Sequence, residues 1–180
     1  MAADDEQRSE RSGPGRHERF QRDPGGFRPR ILPPFWAGII AGAMLAIDGL
    51  CRSLNLAQLE AGTLDQLTTT SYVLFAAGVV LSAWAALGFS RVHTPIEPGY
   101  VPLALLTSGP YRISRNPIYL GMLLTLLAWA AWLGQPLTLL GPLMFIVVIQ
   151  RRIIRHEERM LSEQFGEQYA AYRGRVRRWL

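Results

Sequence analysis

The chain has 180 residues, 49 % of them apolar, with a formal charge of +5; that length fits one domain, or one membrane bundle with a tail. Every basic residue is arginine, and the one cysteine, Cys51, excludes an internal disulfide and any multi-cysteine metal site. Because the arginines bracket apolar runs instead of clustering along one polar stretch, they point to membrane topology and not to a nucleic-acid partner.

Residues 1–30 mix arginines and acids with Gly and Pro and hold almost no large apolar side chains. Such a segment cannot bury enough surface to offset its ordering entropy, so a disordered cytoplasmic tail is expected. The apolar run begins only near Ile31 and no small-residue cleavage site follows a short core, which argues against a cleavable signal peptide.

A membrane domain is expected over residues 31–180. Its first predicted span, about 33–50, forms a helix about 27 Å long, enough to cross a bilayer. Gly38, Gly42 and Ala46 recur every four residues and suggest a face for close helix approach. Asp48, near the far end, is expected to reach water. Arg52 to Thr70 carries few charges and reads as an external loop. The second span, about 71–89, shows Ala76, Ala77, Gly78 and Ala83 as a second small-residue face. A long connection through residues 90–116 comes next, with Pro95, Pro98 and Pro102. The third span runs over 117–133, a tight turn falls at Gly134-Gln135-Pro136, and a fourth apolar run covers 137–150. That run is short for a full crossing, so the helix is expected to continue through Arg151, Arg152 and Arg155 as one rod.

The predicted fold is therefore all-α: an integral membrane bundle of about four segments, ending in a helical hairpin and an amphipathic cytoplasmic tail over 151–180. In that tail Met160, Leu161, Phe165, Tyr169 and Tyr172 recur at helical spacing, Gly166 allows a bend, and closing arginines with Trp179 suit an anionic lipid surface. Arginines crowd the N-terminal tail, the 90–116 connection and the C-terminal segment. The positive-inside rule thus places both termini and that connection in the cytoplasm, with the inner (plasma) membrane as the expected location.

The chemistry-bearing stretch is Thr107–Gly121, T-S-G-P-Y-R-I-S-R-N-P-I-Y-L-G, set between apolar runs. Asn116-Pro117 has the form of a helix start, Asn as N-cap and Pro at the first position. Tyr111 and Tyr119 also suit a membrane interface, and Glu157 and Glu158 also suit helix-surface pairs with Arg151, Arg155 or Arg159. Placed together on one side of a membrane, the two clusters suggest a polar site.

G-P-Y-x-x-x-R-N-P-x-Y-x-G, a hairpin, and then E-E-x-x-L-x-x-x-F-G-x-x-Y-x-x-Y-x-x-x-V resemble the isoprenylcysteine carboxyl methyltransferase and phospholipid methyltransferase superfamily of integral membrane enzymes, over about 94–179. The resemblance implies methyl transfer from S-adenosylmethionine to a lipophilic acceptor entering from the bilayer: an isoprenylcysteine-like carboxylate, a phospholipid amine or another apolar small molecule. It implies cofactor contacts at Leu103, Ala104, Leu105, Leu106, Tyr111, Asn116, Pro117, Ile118, Tyr119 and Glu157. Physically, aromatic rings suit adenine or a sulfonium, the Glu157 carboxylate suits ribose hydroxyls or the ammonium group, and Arg115 suits the cofactor carboxylate. Glu158 is the candidate proton acceptor for an amine substrate. The chain departs from the superfamily pattern twice. Asn116 stands where many carboxyl-methylating members have His, and an amide cannot titrate. Ile153 stands where the prenylcysteine enzymes have a substrate-contacting arginine. Arg152, the nearest substitute, points about 100° away on a helix. Two alternatives stay open: a nicotinamide-dependent membrane reductase of the sterol-reductase type, and a non-catalytic protein on the same scaffold. Oligomeric state is not legible.

Overall fold

A computed structural model describes residues 31–56, 61–91 and 103–180. The predicted tail 1–30 lies outside the described residues, as do 57–60 of the first loop and 92–102 of the long connection with its three prolines. All regular structure among the described residues is helical: α1 Pro33–Ser53, α2 Ala61–Arg91, a 3-10 turn Gly109–Arg112, α3 Pro117–Leu133, a 3-10 turn Pro136–Leu139, α4 Leu140–Ile149, a π-helical turn Gln150–Ile154, and α5 Arg155–Arg175. Three helices are long and apolar enough to cross a membrane, and α3 is a shorter fourth apolar segment. The four expected segments are thus present in an all-helical bundle. The largest difference from the sequence reading is α2, which begins at Ala61 and absorbs much of the stretch read as an external loop.

Helix α3 is the central element. Gly78 of α2 and Gly121 of α3 meet backbone to backbone: a Cβ on Gly78 would lie 2.6 Å from the Gly121 carbonyl oxygen, and one on Gly121 would lie 2.6 Å from the Gly78 carbonyl oxygen. On its other side α3 packs against α1 and α4. Ile40 and Met44 of α1, Leu126, Ala130 and Leu133 of α3, Phe145 and Ile149 of α4, and Ile153 and Ile154 of the π turn form one core, with Tyr119 at one end. The Trp129 indole N–H donates to the Ala41 carbonyl at 3.2 Å, tying α3 to α1.

Two expected packing faces are not used as expected. A Cβ at Gly38 or Gly42 would meet nothing within 4 Å, and α1 instead packs through Ile40, Met44, Asp48 and Cys51. On α2 only Gly78 of the predicted set is buried, and Ala76, Ala77 and Ala83 are exposed. Small residues permit close approach but do not compel it; the larger apolar side chains, which bury more area, set the helix rotation. Asp48 does not reach water: it is 6 % exposed and accepts hydrogen bonds from Arg52 Nε at 3.0 and 2.9 Å, while Arg52 Nη2 donates to the Leu133 carbonyl. The pair satisfies an otherwise orphaned carbonyl at the C-terminus of α3.

The α3–α4 turn agrees with expectation. Gly134 takes φ +68°, the left-handed conformation that closes a helix, and its N–H donates to Ala130. From Leu140 to Arg175 the chain is continuous helix through the π turn, except at Gly166, where φ 46° and ψ −117° bend it. The expected rod is therefore kinked where glycine allows.

Candidate active site

The site assembles at the end of the bundle where α3 begins and α4 gives way to polar sequence. The extra residue of a π turn rotates the next stretch of helix, a feature common at functional positions. Here Ile153 and Ile154 are both fully buried, which brings the acidic pair of α5 round toward α3. Adjacent helical residues diverge by about 100°, so the two acids take different partners. Glu157 Oε1 accepts a hydrogen bond from the Tyr119 hydroxyl at 2.7 Å. Glu158 faces two arginines: Arg115 Nη2 at 3.1 Å, and Arg178, whose Nε donates to Oε1 at 2.9 Å while its Nη2 binds Oε2.

Tyr111 is 7 % exposed. It sits in the 3-10 turn, edge-on to Phe89 of α2 with ring centroids 5.9 Å apart. The turn's positive-φ residue, Gly109, lies against the Trp84 indole. Leu106 packs beside Tyr111 over Gly88 of α2, so part of the 103–106 stretch shares the aromatic's surroundings. Leu103 is exposed and Ala104, Leu105 and Leu106 are half-buried.

The apolar part of the long C-terminal helix ends at Ile149, and Glu157 lies beyond it in α5. Burial pushes its carboxyl from an ordinary 4.5 up to about 7; the Tyr119 hydrogen bond opposes this and the neighbouring Glu158 charge adds to it. Tyr111 is likewise held above its ordinary range, first by burial and then by Tyr172 and Glu157. That coupling places Tyr111 within electrostatic reach of Glu157, although 46 residues separate them in sequence.

The last residues of the chain complete the site. After α5 the backbone turns extended at Val176 and runs alongside Ser114–Asn116. The Arg115 N–H donates to the Arg177 carbonyl at 3.0 Å. The Arg178 carbonyl accepts from Ser114 Oγ at 3.1 Å and from Asn116 Nδ2 at 3.0 Å. Trp179 donates to Gln150 Oε1 at 3.4 Å and packs on the core. The Tyr172 hydroxyl donates to the Tyr111 carbonyl at 2.7 Å. Burial pushes the Tyr172 hydroxyl up to about 12; the same cause pushes Tyr169 up to about 12, with Glu158 adding and Arg115, Arg173 and Arg178 opposing.

Several site details differ from the sequence reading. Asn116 occupies the N-cap position but makes no side-chain cap; its amide is spent on the C-terminal strap. Arg178 and Trp179, expected at a lipid surface, fold back into the protein. Of the sequence-proposed residues, the structure gathers Tyr111, Arg115, Asn116, Pro117, Tyr119, Glu157 and Glu158. Ile118 packs partly buried against the core, and Arg152 is exposed. Sequence reasoning missed Ser114, Tyr172 and Arg178. Tyr172 carried a signal, as part of the aromatic spacing after Phe165-Gly166; Arg178, one arginine of several, carried none.

Residues 67–168 match the phospholipid methyltransferase family, more than half of the chain, beginning inside α2 and ending in α5. The chain belongs to that family and is a membrane methyltransferase in kind. A Haemophilus influenzae protein, described only as uncharacterized, is 49 % identical over 63 residues, covering 35 % of this chain and 100 % of that protein.

Proposed function

We propose that this protein transfers a methyl group from S-adenosylmethionine to a lipophilic acceptor at the cytoplasmic surface of the inner membrane, within one domain over 31–180. The observation that carries the proposal is the meeting of Tyr119 and Glu157 at 2.7 Å, with Tyr111 in electrostatic reach. It unites the two sequence blocks at one membrane end. The family assignment supports methyl transfer to a lipid, and the arginine distribution supports the cytoplasmic side.

The residues fit the cofactor. Tyr111 and Tyr119 offer aromatic surface for adenine or a sulfonium. Glu157 retains a carboxylate oxygen for ribose hydroxyls or the ammonium group. Arg115 has two buried nitrogens, Nε and Nη1, without a partner among the described residues, a natural seat for a carboxylate because unpaired buried donors are costly. Leu106 packs beside Tyr111, and Asn116 and Pro117 stand at the start of α3 next to Arg115; Leu103, Ala104, Leu105 and Ile118 are proposed as further cofactor contacts. When bound, the cofactor supplies an electrophilic methyl on a cationic sulfur: the acceptor's lone pair forms the new bond while the sulfur keeps the electrons of the old one.

The protein's part is alignment and exclusion of water. Glu157, raised toward neutrality, is better suited to accept a proton from an amine acceptor than Glu158, whose two oxygens are engaged by arginines. Arg152, exposed just past the apolar run, is proposed to meet the acceptor headgroup. Family membership favours this reading over a nicotinamide-dependent reductase. Membranes carrying the full chain, incubated with methyl-labelled cofactor, should yield a labelled extractable lipid. Absence of label at saturating cofactor, with the protein shown folded, leaves the non-catalytic scaffold standing instead.

A further inference from the structure

Arg115 is held but not filled. Its side chain is 11 % exposed; Nη2 pairs with Glu158 and its backbone N–H is anchored to Arg177, yet Nε and Nη1 have no partner among the described residues. Its clamp, Glu158, is gripped from the other side by Arg178. Arg178 is fixed in turn because its own carbonyl accepts from Ser114 and Asn116. The row Arg115–Glu158–Arg178 carries a net positive charge, and the Tyr169 hydroxyl lies within its field. The charged groups that meet there come from the Ser114–Asn116 block, from α5 and from the strap, and Glu158 is the acid that pairs with Arg115 among the described residues. A long arginine side chain has about 2 kcal/mol of rotamer freedom to lose, so a guanidinium already immobilised recognises an anion at lower entropic cost.

From this we infer that the C-terminal strap is a working part of the site. Arg178, acting through Glu158, is a positioning residue that presents the open N–H groups of Arg115 to the carboxylate of the methyl donor. The inference rests on the proposed cofactor. It adds a role for two residues outside the donor's direct contacts, and it makes the last few residues of the chain determinants of donor selectivity.

The test compares binding of S-adenosylmethionine and its decarboxylated analogue to the full-length protein in detergent, by calorimetry. Wild type should prefer the carboxylate-bearing ligand by about 10–100-fold, as expected for one charge-assisted contact. Arg178→Gln and Glu158→Gln should each erase most of that preference by weakening the carboxylate-bearing ligand, with the analogue's affinity moving less than about threefold. Arg178→Lys should restore part of it. If both ligands weaken equally in a variant whose melting temperature is kept, the strap is a structural fastening only and the inference is wrong. It is equally wrong if neither ligand weakens. If one variant fails to fold, the other and the lysine replacement decide. Failure of wild type to bind either ligand overturns the proposed function and this inference together, whereas normal wild-type binding with unaffected variants overturns the inference alone.

Discussion

At one end of the bundle, Asp48 and Arg52 sit four residues apart on a single helix and close on the Leu133 carbonyl. At the other end, Tyr119, Glu157, Arg115, Glu158 and Arg178 come from the turn block, α3, α5 and the strap. The ion pair of the first cluster lies within one helix, and its acid has its hydrogen bonds met. The second is assembled across more than sixty residues of sequence and leaves Arg115 nitrogens unmatched and Glu157 raised toward neutrality. Buried charge by itself therefore does not mark a site in this protein. What separates the two ends is incomplete satisfaction of a charged group, since the nitrogen left unmatched beside the first cluster, Gln135 Nε2, belongs to a neutral amide; an unmatched charge leaves chemistry or a ligand something to do.

The sharpest way to break this contrast is to disable one end at a time. Glu157→Gln keeps the shape and removes the titrating carboxylate, and methyl transfer should fall by about 100-fold or more. Activity within threefold of wild type would mean that the Tyr119–Glu157 contact is only packing. The next effect is structural: Gly121→Val drives a branched side chain into the α2 backbone and should cost about 1–3 kcal/mol of stability, read as loss of folded protein on mild heating in detergent. An unchanged melting curve would show that the α2–α3 crossing is looser than described.

A smaller and graded effect is expected with pH. Since Glu157 titrates near 7 in the free protein, cofactor binding that needs its carboxylate should strengthen as pH rises from 5 to 7, by up to about tenfold per unit, and level off above about 8. The free protein should respond oppositely. A folded pKa raised from 4.5 means that Glu157's contribution to stability is complete below 4.5 and is lost as pH rises through about 7. Affinity independent of pH over that window would detach Glu157 from the cofactor. The smallest effect belongs to the opposite end: Asp48→Asn should lower the melting temperature by no more than about 5 °C and leave the Michaelis constants unchanged. A large kinetic effect there would erase the distinction between the two ends.

Much of the fold was legible from the chain alone because apolar runs of membrane length are long-range signals in themselves. Pro117 starting α3, Gly134 ending it and Gly166 bending α5 were equally readable, since each acts through its own backbone. The small-residue faces misled: Gly38, Gly42 and Ala46 permit a close contact that the structure does not make, whereas Gly78, one glycine among alanines, makes one. Asn116 misled for a related reason, since a capping residue with a better partner elsewhere does not cap.

By itself, then, the sequence determined a helical membrane protein, its apolar segments, the family and the two polar blocks that carry the candidate chemistry. Only the tertiary structure decided that Glu157 and Glu158 have separate partners, that the π turn brings both acids to the mouth of α3, and that Arg178 closes the site from the far end of the chain. Hydropathy and helix signals are written within a few turns of backbone, but a hydrogen bond between residues sixty positions apart leaves no local trace. It exists only once packing has fixed the distance between them.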